Sequence, residues 1–189
     1  MNLGLIAWFT GLSGSGKTTI AEETASTLVS KSWSVNIIDG DVLRNTVGAH
    51  LGFSIPDIFE SNRLAIQLCE DIKSDYDVVL VPRISPFVRA REIARDRFTD
   101  AFLEVYVKAS IETVSQRDPK GLYRQAIQND SIQRPIGLVG GIPFEAPLNP
   151  DITLDTDLYD QHVLSDRLVS VIEDRLVSRN KLYDNNEPS

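Results

Sequence analysis

Cysteine is almost missing from this chain. The one thiol, Cys69, has no internal partner, so no intrachain disulfide can staple the fold, and its apolar helical setting points to a buried core position. Histidine is nearly as scarce. His50 and His162 stand far apart with no second ligand at metal-site spacing, which argues against a His/Cys metal centre. Positive charge is in deficit, with 19 Lys and Arg against 27 Asp and Glu and a formal net charge of −8. That balance argues against nucleic acid or an anionic membrane as the main partner, and it reads as ordinary solubility. No apolar run approaches the length needed to span a bilayer. The first apolar stretch is short, lacks a basic leader and runs straight into a glycine-rich loop, so no targeting segment is expected and a cytoplasmic location is.

What remains is an ordinary globular composition. The 189 residues are 42% hydrophobic and 24% charged, enough for one full core, or one domain with a lid. Apolar patterning predicts strands at Leu3–Phe9, Ser34–Ile38, Asp77–Val81, Ala101–Val107 and Ile152–Leu154. Helices are predicted at Lys17–Val29, Asp41–Ala49, Asp57–Lys73, Pro86–Arg97, Ile111–Arg117 and Gln161–Arg179. Ile58, Ala65, Leu68, Cys69 and Ile72 form one stripe, and Val163, Leu168, Val171, Ile172 and Leu176 another. Strands alternating with helices imply an α/β fold, a parallel sheet covered on both faces, with ligands at the strands' carboxyl ends. Residues 118–150 are irregular apart from a helical piece near Gly121–Asn129. Segments of that kind are commonly functional lids. Lys181–Ser189 is polar and expected to fray.

The richest feature is Gly11-Leu12-Ser13-Gly14-Ser15-Gly16-Lys17-Thr18, a match to G-x-x-x-x-G-K-[ST] between a strand and a helix. Glycines let the backbone turn its N–H groups toward phosphate oxygens, and the following helix adds its positive end. Lys17 suits the β and γ phosphates, and the Thr18 hydroxyl suits Mg²⁺. Beyond the second strand come Asp39-Gly40-Asp41 and Arg44. Two carboxylates facing a phosphate loop suit a phosphotransferase, one to deprotonate an attacking hydroxyl and one to act on Mg²⁺ or its waters. Alone, Asp41 would be a helix cap and Arg44 a surface charge. Beside a phosphate loop the chemical reading takes precedence.

Several motifs in one order then resemble the adenylylsulfate kinase family. They are the phosphate loop, Asp39-Gly40-Asp41 with Arg44, Leu51-Gly52-Phe53-Ser54, Ile84-Ser85-Pro86-Phe87, Arg117-Asp118-Pro119-Lys120-Gly121-Leu122-Tyr123 and Pro143-Phe144-Glu145-Ala146-Pro147. The resemblance runs from about Leu5 to Thr156. It implies a phosphate-loop NTPase-like fold with a lid near 118–147, and transfer of the ATP γ-phosphate to the 3′-hydroxyl of adenylylsulfate with Mg²⁺ as cofactor. It also implies a homodimer. By the same resemblance ATP is held by Gly11, Ser13, Gly14, Ser15, Gly16, Lys17, Thr18, Thr19 and Arg117, whose guanidinium would lie over the adenine. Lys17, Asp39 and Asp41 become the catalytic set. Asp41, Arg44, Phe53, Arg83, Ile84, Ser85 and Lys120 become the acceptor set, with Phe53 stacked on the base. Ser85 is equally suited to cap a helix beginning at Pro86.

The chain departs from the family pattern in one half only. After Leu-Gly-Phe-Ser the family has Asp-Arg-x-x-Asn, whereas Asp57 here is followed by Ile58 at the arginine and Ser61 at the asparagine. Arg83 replaces the phenylalanine of Phe-Ile-Ser-Pro-Tyr. The lid stretch 134–142 carries no aromatic where the family has one. Three activities fit this pattern: the family reaction, the same chemistry on a cytidine or uridine diphosphate derivative, and nucleotide binding without catalysis. The retained Lys17, Thr18, Asp39, Asp41 and Arg44 count against the third.

Overall fold

The computed structural model describes residues 4–40, 51–128 and 135–184. Five strands, β1 (Leu5–Thr10), β2 (Val35–Ile37), β3 (Val78–Pro82), β4 (Phe102–Lys108) and β5 (Ile152–Asp155), form one sheet in the order β2-β3-β1-β4-β5. Every pairing is parallel, with Leu5 beside Val78 and Ile6 beside Phe102. β1 is central and fully buried, which explains its unbroken apolar run.

Successive residues of β1 feed two cores. Leu5, Ala7 and Phe9 pack with α1 (Lys17–Ser30) and α6 (Gln161–Asp184) on one face. Ile6 and Trp8 pack with α2 (Ile55–Ile72) and α3 (Val88–Phe98) on the other. Cys69 lies in the second core, and burial pushes its thiol up to about 12, as an inert core residue requires. Two short helices, α4 (Ile111–Arg117) and α5 (Leu122–Gln128), follow β4. No helix among the described residues is long and apolar enough to cross a membrane.

The expected elements appear with ends shifted by one to a few residues, apart from the helix expected at Asp41–Ala49, which falls outside the described residues. α2 starts earlier than expected because Ser54 caps it. The Ser54 hydroxyl accepts from the Asp57 amide, and the Asp57 carboxylate accepts from Ser54, a closed capping box. α6 runs on to Asp184, beyond Arg179. Its apolar stripe needs one correction. Val163 is about half exposed, and Leu164 is the buried residue, in step with Leu168, Ile172 and Leu176 at four-residue spacing.

Candidate active site

All five strands point their carboxyl ends at one edge of the sheet, and a cleft of about 720 Å³ lies along that edge. At one end is the glycine loop between β1 and α1. Gly16 caps α1 at φ 98°, a left-handed conformation that costs glycine nothing, and leaves the first helical N–H groups open to an anion. Lys17 is 8% exposed, with Nζ donating to the carbonyls of Gly11 (3.0 Å) and Leu12 (2.6 Å). Its charge is thus stored on the loop's own oxygens. The Thr18 hydroxyl donates to Asp39 Oδ2 at 3.2 Å, so two hard oxygen donors from different elements already meet at the cleft floor. That pair fits Mg²⁺, which prefers oxygen ligands.

Arg117 closes the far side of this end. Its guanidinium donates to Thr156 Oγ1 (3.0 Å) and the Thr156 carbonyl (2.9 Å), which fixes its plane. The chain then turns through Asp118 (φ 24°), whose carboxylate accepts from the amides of Tyr123 and Arg124 and caps α5. Partial desolvation pushes this carboxyl up, but the backbone N–H groups outweigh it and hold Asp118 below the usual carboxylate range. The buried Tyr123 hydroxyl donates to the Ser13 carbonyl at 3.0 Å, tying α5 to the phosphate loop. Burial, helped by the Asp118 charge, pushes this phenol up to about 12, so it stays a donor. Gly137 (φ 88°) touches the loop from above; a Cβ there would lie 2.4 Å from Leu12 Cδ2.

The other end of the cleft is assembled from α2, the residues after β3, and Ile136. Phe53 stands at the rim, about half exposed. The positions that depart from the family pattern meet here. Arg83 Nη2 donates to Ser61 Oγ at 2.7 Å, with the guanidinium 5.9 Å from the Trp8 ring centroid, and Ile58 lines the same wall. Ser85 is no helix cap. α3 begins at Val88 after Phe87, and its first amide donates to the Glu145 carboxylate at 2.7 Å, while Ser85 adopts φ 42° and turns its hydroxyl inward. There it accepts from the Trp8 indole N–H (3.2 Å) and donates to Asn62 Oδ1 (3.2 Å). The Ser85 carbonyl accepts from Thr10 Oγ1 (3.2 Å) and Arg91 Nη1 (2.7 Å). Arg91, 2% exposed, also donates to the Glu145 carbonyl and pairs with Glu104 at 2.7 Å.

Of the residues expected to hold ATP, Ser13, Gly14, Gly16, Lys17, Thr18, Thr19 and Arg117 line the cleft. Ser15 is buried beneath the loop, and the Gly11 amide donates to the Ile84 carbonyl. Phe53, Arg83, Ile84, Ser85, Lys120 and Asp39 line the same cleft, and Asp41 and Arg44 lie outside the described residues. Sequence reasoning missed Asn62, Arg91, Tyr123 and Gln161. Tyr123 was visible as the last residue of a motif, but the others depend on contacts between distant segments. Phe87, at a family tyrosine, stacks on Phe59 at 5.5 Å within a small apolar cluster.

The comparisons with known proteins agree with this arrangement. The model of the family described as adenylylsulphate kinase matches residues 3–155. A probable adenylyl-sulfate kinase of Halalkalibacterium halodurans is 43% identical over 152 residues, covering 79% of this chain and 71% of that protein. The adenylyl-sulfate kinase of Bacillus licheniformis is 37% identical over 171 residues, covering 90% and 85%. Among solved structures, the Mycobacterium tuberculosis APS kinase CysC in complex with AMPPNP and APS superposes with a TM-score of 0.83 at 34% identity, covering 92% of this chain and 99% of that one. A match across most of the chain, on the fold that carries the phosphate loop and its cleft, shows that the chain belongs to the adenylylsulphate kinase family.

Proposed function

We propose that the protein transfers the γ-phosphate of ATP to the 3′-hydroxyl of adenylylsulfate, forming 3′-phosphoadenylylsulfate. The observation that carries this reading is one continuous cleft with a phosphate-binding loop at one end and a separate polar and aromatic wall at the other. A nucleotide hydrolase needs only the first. A kinase with a nucleotide acceptor needs both.

The loop's N–H groups and Lys17 take the ATP phosphates, and Arg117 provides a flat cation against the adenine. Thr18 and Asp39 would hold Mg²⁺, directly or through its waters, and that ion supplies neutralisation of phosphate charge. The acceptor oxygen bonds to the γ-phosphorus as the bond to the β,γ-bridging oxygen breaks. Asp41 takes the hydroxyl proton, and Lys17 leaves the Gly11 and Leu12 carbonyls to follow the phosphoryl charge. Phe53 stacks on the acceptor base, and by the family resemblance Arg44 and Lys120 are the cations that pair with its anionic end. Closure of the lid over Leu12 would keep out water, the competing acceptor. The resemblance also supports a cytoplasmic homodimer, which light scattering on the purified protein would check.

Incubation with Mg-ATP and adenylylsulfate, with the product identified by mass spectrometry, tests the activity. Formation of 3′-phosphoadenylylsulfate is expected. Preferred turnover of a cytidine or uridine diphosphate derivative would replace the acceptor, and nucleotide binding without any turnover would overturn the reading.

A further inference from the structure

Asn62 is held in the acceptor wall by only half of its amide. It lies on α2, 3% exposed, and lines the cleft beside Ser61, Arg83 and Ser85. A hydrogen-bond chain sets its orientation. The Trp8 indole can only donate, so Ser85 Oγ accepts from it and passes its own single proton to Asn62 Oδ1. The other half of the amide, Nδ2, is buried and has no hydrogen-bond partner. A buried donor left unmade is costly, and native structures keep such groups chiefly where something else completes them. The same corner contains the left-handed Ser85 at φ 42°, a second local cost. Strain and a buried donor without a partner thus coincide in one corner of the acceptor wall, while the phosphate loop at the opposite end satisfies its lysine internally.

The neighbours say what chemistry would complete the group. Asn62 Nδ2 offers two N–H bonds. The buried guanidinium of Arg83 stands on Ser61, the preceding residue of the same helix, and shares the wall with Asn62. Donors and a cation side by side select an electron-rich oxygen, as on a sulfate or phosphate group.

We propose that Asn62 is a specificity-determining residue of the acceptor site, and that its Nδ2 donates to an anionic oxygen of the acceptor nucleotide. The assignment rests on the kinase reading above and deepens it. It also gives a use to a residue next to Ser61, where the family asparagine is replaced.

Two variants test it, with acceptor and ATP kinetics and thermal stability measured side by side on the full chain. Asn62→Asp keeps an oxygen for the Ser85 proton and replaces the donor with a negative charge. The acceptor KM should rise by at least about tenfold, the size expected when one charge-assisted hydrogen bond is lost, while the ATP KM stays within about twofold. Asn62→Ala removes the open donor without adding charge and keeps the assay interpretable if the aspartate variant folds poorly. Its acceptor KM should rise several-fold. A merely structural asparagine would behave differently: Tm would fall in both variants, with the acceptor KM unchanged or moving in step with the ATP KM. Either of those kinetic results in a folded variant overturns the assignment alone. A parent protein that phosphorylates no nucleotide hydroxyl overturns the kinase reading, and the assignment with it. If the parent prefers a nucleotide other than adenylylsulfate, the same KM comparison on that nucleotide decides the matter.

Discussion

The two ends of the cleft are built on different principles. The donor end is centred on a continuous stretch of chain, Gly11 to Thr18, with Asp39 and Arg117 added from elsewhere, and the geometry of that stretch follows from local rules: a buried strand, glycines at positive φ, a helix start. Its charged groups are satisfied nearby, Lys17 on loop carbonyls and Thr18 on Asp39. The acceptor end draws on α2, the turn after β3 and the lid, and it is held by a buried network of Arg91, Glu104 and Ser85. One end is a motif and the other is a meeting place. Variants that separate ATP effects from acceptor effects will show whether that division is functional.

The largest effect should come from the donor end. Lys17→Ala is expected to reduce phosphoryl transfer by about a thousandfold, because charge stabilisation on the transferred group is commonly the largest catalytic term. Circular dichroism should show an intact fold. A folded variant within a few-fold of the parent would remove Lys17 from the chemistry. Next comes Asp41→Asn, expected to lower kcat by about a hundredfold with ATP binding retained, since an amide cannot take the acceptor's proton. An unchanged kcat would leave Asp41 as a helix cap.

The difference between the ends also explains what the sequence disclosed. The phosphate loop, Asp39 and Arg117 were legible because motif spacing determines their placement, and the parallel sheet follows from strands alternating with helices. Ser85 reads from sequence both as an acceptor contact and as a cap, because Ser-Pro before a helical pattern is also a capping signal, and only the cap is excluded by the structure. Nothing local reveals that Trp8, 77 residues away, claims its hydroxyl. Val163 was misassigned for a related reason. Val163 and Leu164 are adjacent apolar residues, and only the sheet face decides which one is buried. Ile58, Ser61 and Arg83 were each visible as departures, but their convergence on one wall was not.

That convergence yields two further tests. Arg91→Lys keeps a cation for Glu104 but cannot also reach the Ser85 and Glu145 carbonyls in the same planar fork. The expected outcome is an acceptor KM raised by about tenfold with little change for ATP, along with a lower Tm. A lower Tm alone would make Arg91 a structural residue and weaken the case for a separately tuned acceptor wall. The double variant Ile58→Arg/Ser61→Asn restores the family residues at two altered positions. It should raise kcat/KM for adenylylsulfate relative to cytidine, uridine and guanosine derivatives by roughly the 1–3 kcal/mol that recognition of one substrate group is worth. A parent enzyme already selective for adenylylsulfate, and unimproved by the double variant, would show that these departures do not alter the choice of acceptor.

The smallest expected effect tests whether the lid belongs to the donor end. Tyr123 lies in the first turn of the lid helix α5, yet its hydroxyl donates to the carbonyl of Ser13 within the phosphate loop. The phenol is buried and held as a donor, so Tyr123→Phe removes one neutral hydrogen bond and leaves the ring packed against Leu12 and Val114. A bond of that kind is worth about 0.5–1.5 kcal/mol net, which corresponds to a change of roughly two- to tenfold if all of it is expressed in ATP binding. The Ser13 carbonyl would lose an anchor just where the loop must present its N–H groups to phosphate. The ATP KM should therefore rise a few-fold while the acceptor KM holds, the opposite of the pattern expected from Arg91. Calorimetric titration with Mg-ADP would check the donor side without any acceptor present. If Tyr123→Phe instead raised the acceptor KM and spared ATP, α5 would belong to the acceptor wall, and the boundary between the two ends would have to be redrawn across the lid.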